Sequence, residues 1–223
     1  MSPTAQQSDL SEGPVSGIQS WSELSEKRAE IKRLFPRVWD IPLVKKEMGR
    51  LMVHTKPGSR ILEVGAGDRR FEKKIKKAVS PVVYKSMDID RKTGQDYYSL
   101  DEIREPFDFI FMFEVIEHLS PGEALVILGQ IRALLRPGGT LLLSTPNLFH
   151  PNRYFQDVTH KTPFRYEDLG AVMRMAHFGH IRFFRMHNEA FLQRLFRRCV
   201  GVHLHKYLEL DFAKTLLAEG ERI

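Results

Sequence analysis

Glu114, Glu117 and His118 stand where an apolar run, Phe107 to Phe113, gives way to Val115-Ile116-Glu117-His118-Leu119. From a strand end into a helix, offsets of three and four residues put all three on one side. Two carboxylates and an imidazole can hold a divalent cation: Mg²⁺ prefers the oxygens, while Mn²⁺ or Zn²⁺ tolerates the nitrogen. A metal-free use of the same residues also stands, in which the glutamate orients the loop and His118 lines a pocket as a base, because imidazole titrates near working pH. A second group of residues lies upstream. Ile61-Leu62-Glu63-Val64 reads as a buried strand running into Gly65-Ala66-Gly67-Asp68, where residues without a Cβ let backbone turn tightly and approach a ligand. Helical pattern resumes at Phe71, so free amide N–H groups are expected to point into that turn and to hold a polar, nucleoside-type ligand. The strand Val82–Met87 then closes on Asp88-Ile89-Asp90, about twenty positions after the turn, where a carboxylate could accept both hydroxyls of a ribose.

Such residues need a scaffold that gathers strand ends. Strands are expected over 61–64, 82–87, 107–113, 141–147 and 180–186, with a final antiparallel strand within 212–220. Helices are expected over 22–34, 42–54, 71–79, 121–135, 166–176 and 189–199, with Ser22 or Ser25 capping the first. Alternation of strand and helix is the pattern of a parallel sheet covered on both faces. Pro121 suits a helix start, since its missing N–H would be unpaired there anyway. Residues 1–20, rich in Ser, Gln, Pro and Gly, are expected to be disordered. A helical extension is read over 21–57 and the main domain over 58–223. Within the extension, Phe35 and Trp39 are expected to pin it to the domain.

In this order the segments Ile61-Leu62-Glu63-Val64-Gly65-Ala66-Gly67, Met87-Asp88-Ile89-Asp90, Phe107–Phe111 with Glu114–Leu119, and Leu134–Asn147 resemble class I S-adenosylmethionine-dependent methyltransferases, from about Gly58 to about Phe178. The resemblance implies a Rossmann-like α/β fold with a mostly parallel seven-stranded sheet and S-adenosylmethionine as cofactor. It places Gly65, Ala66, Gly67, Asp88, Ile89, Asp96 and Phe113 around that cofactor, with Glu63 reaching the amino group of the methionine moiety and Asp96 or Tyr97 touching adenine. Where the family often has a third glycine, Arg69 stands, read as a solvated surface charge. The string Glu114-Val115-Ile116-Glu117-His118 is similar to the metal site of small-RNA 2′-O-methyltransferases. That likeness implies a further histidine, for which His160 is the candidate, so that Glu114, Glu117, His118 and His160 would hold Mg²⁺ or Mn²⁺. Without metal, His160 and His118 would act as bases. Asp157-Val158-Thr159-His160 through Phe164 also resembles a segment of methyltransferases acting on sugars of bacterial glycans, so the implied reaction is O-methylation of a sugar or other small-molecule hydroxyl.

Two rival functions remain open at this level. Net charge is +6, and Arg182-Phe183-Phe184-Arg185 with Arg194, Arg197 and Arg198 would suit RNA, making ribose 2′-O-methylation the alternative. A non-catalytic partner built on a cofactor fold is the other. No apolar run reaches membrane-spanning length, although Phe191–Arg198 is basic and amphipathic enough for weak contact with a bilayer surface. One cysteine, Cys199, excludes an internal disulfide and fits a reducing, cytoplasmic setting.

Overall fold

The computed structural model describes residues 21–187 and 201–223. The expected N-terminal disorder, the helix expected over 189–199, Arg194, Arg197, Arg198 and Cys199 lie outside the described residues. The elements run α1 (Trp21–Leu34), β1 (Leu43–Val44), α2 (Glu47–His54), β2 (Arg60–Val64), α3 (Glu72–Ala78), β3 (Val83–Met87), β4 (Phe107–Phe113), α4 (Pro121–Leu134), β5 (Leu135–Pro146), α5 (Tyr166–Met175), β6 (Phe178–Met186), α6 (Val202–Tyr207) and β7 (Thr215–Arg222).

The strands form one seven-stranded sheet in the order β1-β6-β7-β5-β4-β2-β3. Only β7 runs against its neighbours, pairing antiparallel with both β5 and β6. Strand alternation divides the core between the two faces. Leu62, Ile110, Met112, Leu141 and Leu143 point to the side packed by α1, α4 and α5, whereas Ile61, Phe109, Phe111 and Leu142 point to the side packed by α2 and α3. This doubly wound sheet is the Rossmann-like fold expected from the motifs.

Several boundaries move, for physical reasons. Residues 42–44, expected to open the second helix, are extended. Leu43 and Val44 pair in parallel with Arg185 and Met186, filling the open edge of β6, and α2 starts only after Lys46. β5 begins six residues early because Leu135 already pairs with Phe107 across a bulge. Ser22 and Ser25 lie inside α1 and do not cap it. The short helix α6 fills a stretch with no strong sequence signal.

The N-terminal extension is fixed to the domain. A Cβ on Gly170 of α5 would fall 2.7 Å from Ile31 Cγ1, so glycine there is what lets α1 lie against α5. Arg28 pairs with Asp168 at 2.9 Å across the same contact. Phe35 meets Phe183 edge-on at 5.6 Å, and the Trp39 indole N–H donates to the Leu210 carbonyl at 3.1 Å. Arg185, on β6, completes the attachment. Its guanidinium pairs with Asp211 at 2.8 Å and donates to the carbonyls of Ile41 and Trp39. No helix among the described residues is long and apolar enough to cross a membrane.

Candidate functional site

β2 delivers the glycine turn between the ends of β3 and β4. Gly65 has φ +72°, and a Cβ there would sit 2.3 Å from Val115 Cγ2. That contact explains the glycine and presses the segment after β4 against the turn. Most amides of the turn itself are already engaged. Gly65 and Ala66 donate to the Met87 carbonyl, Arg69 to Ala66 and Arg70 to the Asp68 carboxylate. The turn therefore closes on itself before α3 begins, and α3 is one short helix displaced from it.

Asp88 stands at the open rim. One carboxylate oxygen accepts the Gly67 N–H at 2.9 Å and the other the Asp90 N–H at 2.9 Å. Each oxygen keeps a further lone pair, and the space where a Gly67 side chain would stand is empty to 4 Å. A half-buried carboxylate beside open backbone fits a ribose diol. Ile89 next to it is 82% exposed, an apolar surface free to meet a ring. Phe113 is half-buried and packs edge-on against Phe71 at 5.3 Å.

Asp96, placed near the cofactor by resemblance, and Arg69, read as a solvated surface charge, contact each other. The Asp96 carboxylate is taken by the Ser86 N–H and hydroxyl, both at 3.0 Å, and by Lys85. It straps its loop to β3. Arg69 keeps about a quarter of its side chain exposed and pairs with Glu72 and Asp96. Glu63 lies beneath the turn, where the Tyr84 hydroxyl donates to its carboxylate. Burial pushes that carboxyl up to about 7, a rise the Tyr84 hydrogen bond only partly offsets.

That shift has a measurable consequence. Folding raises the Glu63 pKa above its unfolded value, so the native state holds a proton the unfolded chain has lost between pH 4.5 and about 7. Stability from this group is complete below the lower value and is lost as pH rises through the upper one. Glu63→Gln should flatten the fall in melting temperature between pH 5 and 8. An unchanged slope would show that another group controls it.

The segment after β4 splits the four expected cation ligands into one and three. Glu114 has φ +53°, a strained backbone for a side chain of this size. Its carboxylate accepts the Ser144 hydroxyl and the Arg153 guanidinium, each at 2.9 Å. Glu114 is thereby committed and does not join the cluster. Glu117, His118 and His160 do come together, with one ligand atom from each within 4.8 Å of the others. The His118 and His160 rings are 4.9 Å apart. Glu117 is fully buried, and neither carboxylate oxygen makes a hydrogen bond of good geometry, although the Thr145 side chain and its own backbone lie near enough to favour the charged form. Burial, then the nearby Glu114 carboxylate, push it up to about 8. An unmatched buried carboxylate is costly to keep.

Both histidines are oriented alike. His160 Nδ1 is 2.7 Å from the Tyr154 carbonyl, which can only accept, so Nδ1 carries the proton. The Thr159 hydroxyl gives its own proton to Asp157 at 2.7 Å and accepts from His118 Nδ1 at 2.9 Å. Each Nε2 is left with a lone pair. Holding one ring nitrogen to free the other is the arrangement that orients metal-bound or base histidines. Asp157, Thr159 and Tyr154 were not singled out from sequence. The spacing Asp157-x-Thr159-His160 was the signal, since one side chain positions His118 while its neighbour supplies the second ring.

Of the basic and aromatic run read for RNA, the described part, Arg182 to Arg185, is partly engaged within the protein, while Arg182 stays exposed. Phe183 is buried, Arg185 is tied to Asp211, and Arg182 reaches the buried Glu219 at 3.2 Å. Phe184 lies beneath Arg50 at 4.2 Å.

A family model described as "Methyltransferase domain" matches residues 26–199. No curated protein matches the chain. Among solved structures, a SAM-dependent methyltransferase from Archaeoglobus fulgidus is similar at 15% identity and TM-score 0.65, covering 91% of this chain and 100% of that one. An S-adenosylmethionine-dependent methyltransferase from Mesorhizobium loti is similar at 16% identity and TM-score 0.53, with coverage of 78% and 95%. Phosphoethanolamine N-methyltransferase 2 from Haemonchus contortus, solved with S-adenosyl-L-methionine, is similar at 14% identity and TM-score 0.52, with coverage of 89% and 52%. At these identities the likeness is one of fold.

Proposed function

As the chain belongs to the class I S-adenosylmethionine-dependent methyltransferases, we propose that it O-methylates a hydroxyl of a sugar, glycan or other small molecule beside a divalent cation held by Glu117, His118 and His160. The observation that carries this reading is the buried, unmatched Glu117 carboxylate facing two imidazoles whose Nδ1 atoms are both tied down.

S-adenosylmethionine supplies a methyl group already activated as a sulfonium, so the protein's work is alignment and exclusion of water. Asp88 holds the ribose diol, Gly65 to Gly67 and Ile89 provide close surface, and Glu63 braces the turn from below. A cation at the triad would supply Lewis acidity that makes a bound hydroxyl easier to deprotonate. With two imidazoles and one carboxylate the donor set would suit Mn²⁺ better than the oxygen-preferring Mg²⁺, leaving positions for acceptor oxygens. Adjacent hydroxyls could fill two of those positions. When no cation is bound, a free Nε2 of His118 or His160 can take the hydroxyl proton.

The test is transfer of a labelled methyl group to sugars with and without adjacent hydroxyls, alongside RNA 3′ ends, with Mn²⁺ added. Transfer to vicinal diols of sugars is expected; transfer to RNA alone would overturn the acceptor class. Asp88→Asn should weaken S-adenosylhomocysteine roughly 10- to 100-fold by calorimetry, the worth of hydrogen bonds to a charged group. Unchanged affinity would remove Asp88 from the ribose.

A further inference from the structure

Beside the triad, and distinct from it, lies a cavity of about 860 Å³ lined by Lys45, Lys46, Lys74, His150, Arg153 and Lys214 among others. It opens at the carboxyl ends of β1, β5 and β6, where ligands bind in open α/β sheets. Four lysines from three separate parts of the chain face it, and none has an ion-pair partner among the described residues. Lys45 and Lys46 sit at the N-terminus of α2, the end of a helix least hospitable to cations. The carboxylates on the wall do not neutralise them. Asp211 is spent on Arg185 and Asn147, which leaves Glu47 alone.

The inner wall adds polar nitrogens without partners. Arg153 Nε and His150 Nδ1 are both shielded from solvent and lack hydrogen bonds. Such groups are stable only when something polar meets them. Arg153 also connects the two sites. Its guanidinium holds Glu114, and the carbonyl of the next residue, Tyr154, holds His160.

We propose that this cavity binds a phosphate or diphosphate group of the acceptor, so that the substrate is a phosphorylated or nucleotide-linked sugar whose hydroxyl reaches the triad. A phosphate carries more charge than a carboxylate and spreads it over several oxygens. That matches dispersed lysines acting as point charges with an arginine and an imidazole completing the contact. The assignment rests on the acceptor reading above but makes a separate claim. The triad selects the hydroxyl, and the cavity selects the anion.

The experiment is calorimetry on the full chain saturated with S-adenosylhomocysteine, using inorganic pyrophosphate, uridine diphosphate glucose and methyl glucoside as probes. Both phosphate probes should bind with an affinity that falls as salt rises, while methyl glucoside binds at least tenfold more weakly. Lys46→Gln/Lys214→Gln should weaken the phosphate probes at least tenfold and leave S-adenosylhomocysteine affinity unchanged, which shows the variant is folded. Equal binding of methyl glucoside, or a double variant that binds pyrophosphate as well as the parent, would overturn the proposal. Stronger binding of an RNA oligonucleotide than of the sugar nucleotide would overturn it too. Retained Mn²⁺ uptake with no phosphate binding would sink this inference and spare the proposed function. The reverse result would do the opposite.

Discussion

Glu117→Gln is expected to abolish stoichiometric Mn²⁺ uptake and to lower methyl transfer about a thousandfold or more, because the Lewis-acid contribution is several kcal/mol and each 1.36 kcal/mol is tenfold. The substitution keeps volume, so S-adenosylhomocysteine affinity should stay as it was. A proton gives the sharper readout. The buried Glu117 carboxyl is pushed up to about 8, so at pH 7 it is mostly protonated and a cation must displace that proton. Metal affinity should therefore fall on acidification below pH 8. The heat of binding should also depend on the ionisation enthalpy of the buffer. Thr159→Val, which unties His118, should cost about 10- to 100-fold in metal affinity, as loss of an orienting partner does. Uptake of Mn²⁺ undiminished in Glu117→Gln would refute the triad.

The largest effect on stability should come from Arg185→Met. Asp211 is wholly buried, and the Arg185 guanidinium is its charged partner at 2.8 Å. Removing one member of a buried pair typically costs about 3–5 kcal/mol, because the other charge is stranded. Two carbonyls of the N-terminal extension, Ile41 and Trp39, lose their donor at the same time. For a chain of this size the melting temperature should drop by roughly 6–20 °C. Arg185→Met/Asp211→Asn should recover much of the loss, since no unpaired charge then remains. A double variant as unstable as the single one would assign the cost to the carbonyl contacts.

Much of the scaffold was legible because its signals are local. The apolar strands 61–64 and 107–113 and the start of α4 at Pro121 follow from residue type alone. Elements decided by distant partners were not legible. Leu43 and Val44 are extended only because β6 offers an edge, and β6 is far along the chain. The candidate site divides in the same way. Spacing within one segment placed Glu117 and His118 together, but nothing local revealed that Ser144 and Arg153 would capture Glu114. Likewise Asp96 has the right chemistry for a ligand, and only the neighbouring Ser86, Lys85 and Arg69 show that it is already engaged.

The position of β7 sets the order in which the molecule can be assembled. It is the last strand along the chain, yet it lies between β5 and β6. During synthesis the β5-β4-β2-β3 portion can pair as soon as its strands are made. The β1-β6 pair has no place on the sheet until Thr215–Arg222 arrives between them. Closing the sheet therefore depends on long-range pairing, which is intrinsically slow. The half of the sheet beneath the cofactor turn can form early, whereas the cationic cavity exists only after β7 has closed the gap.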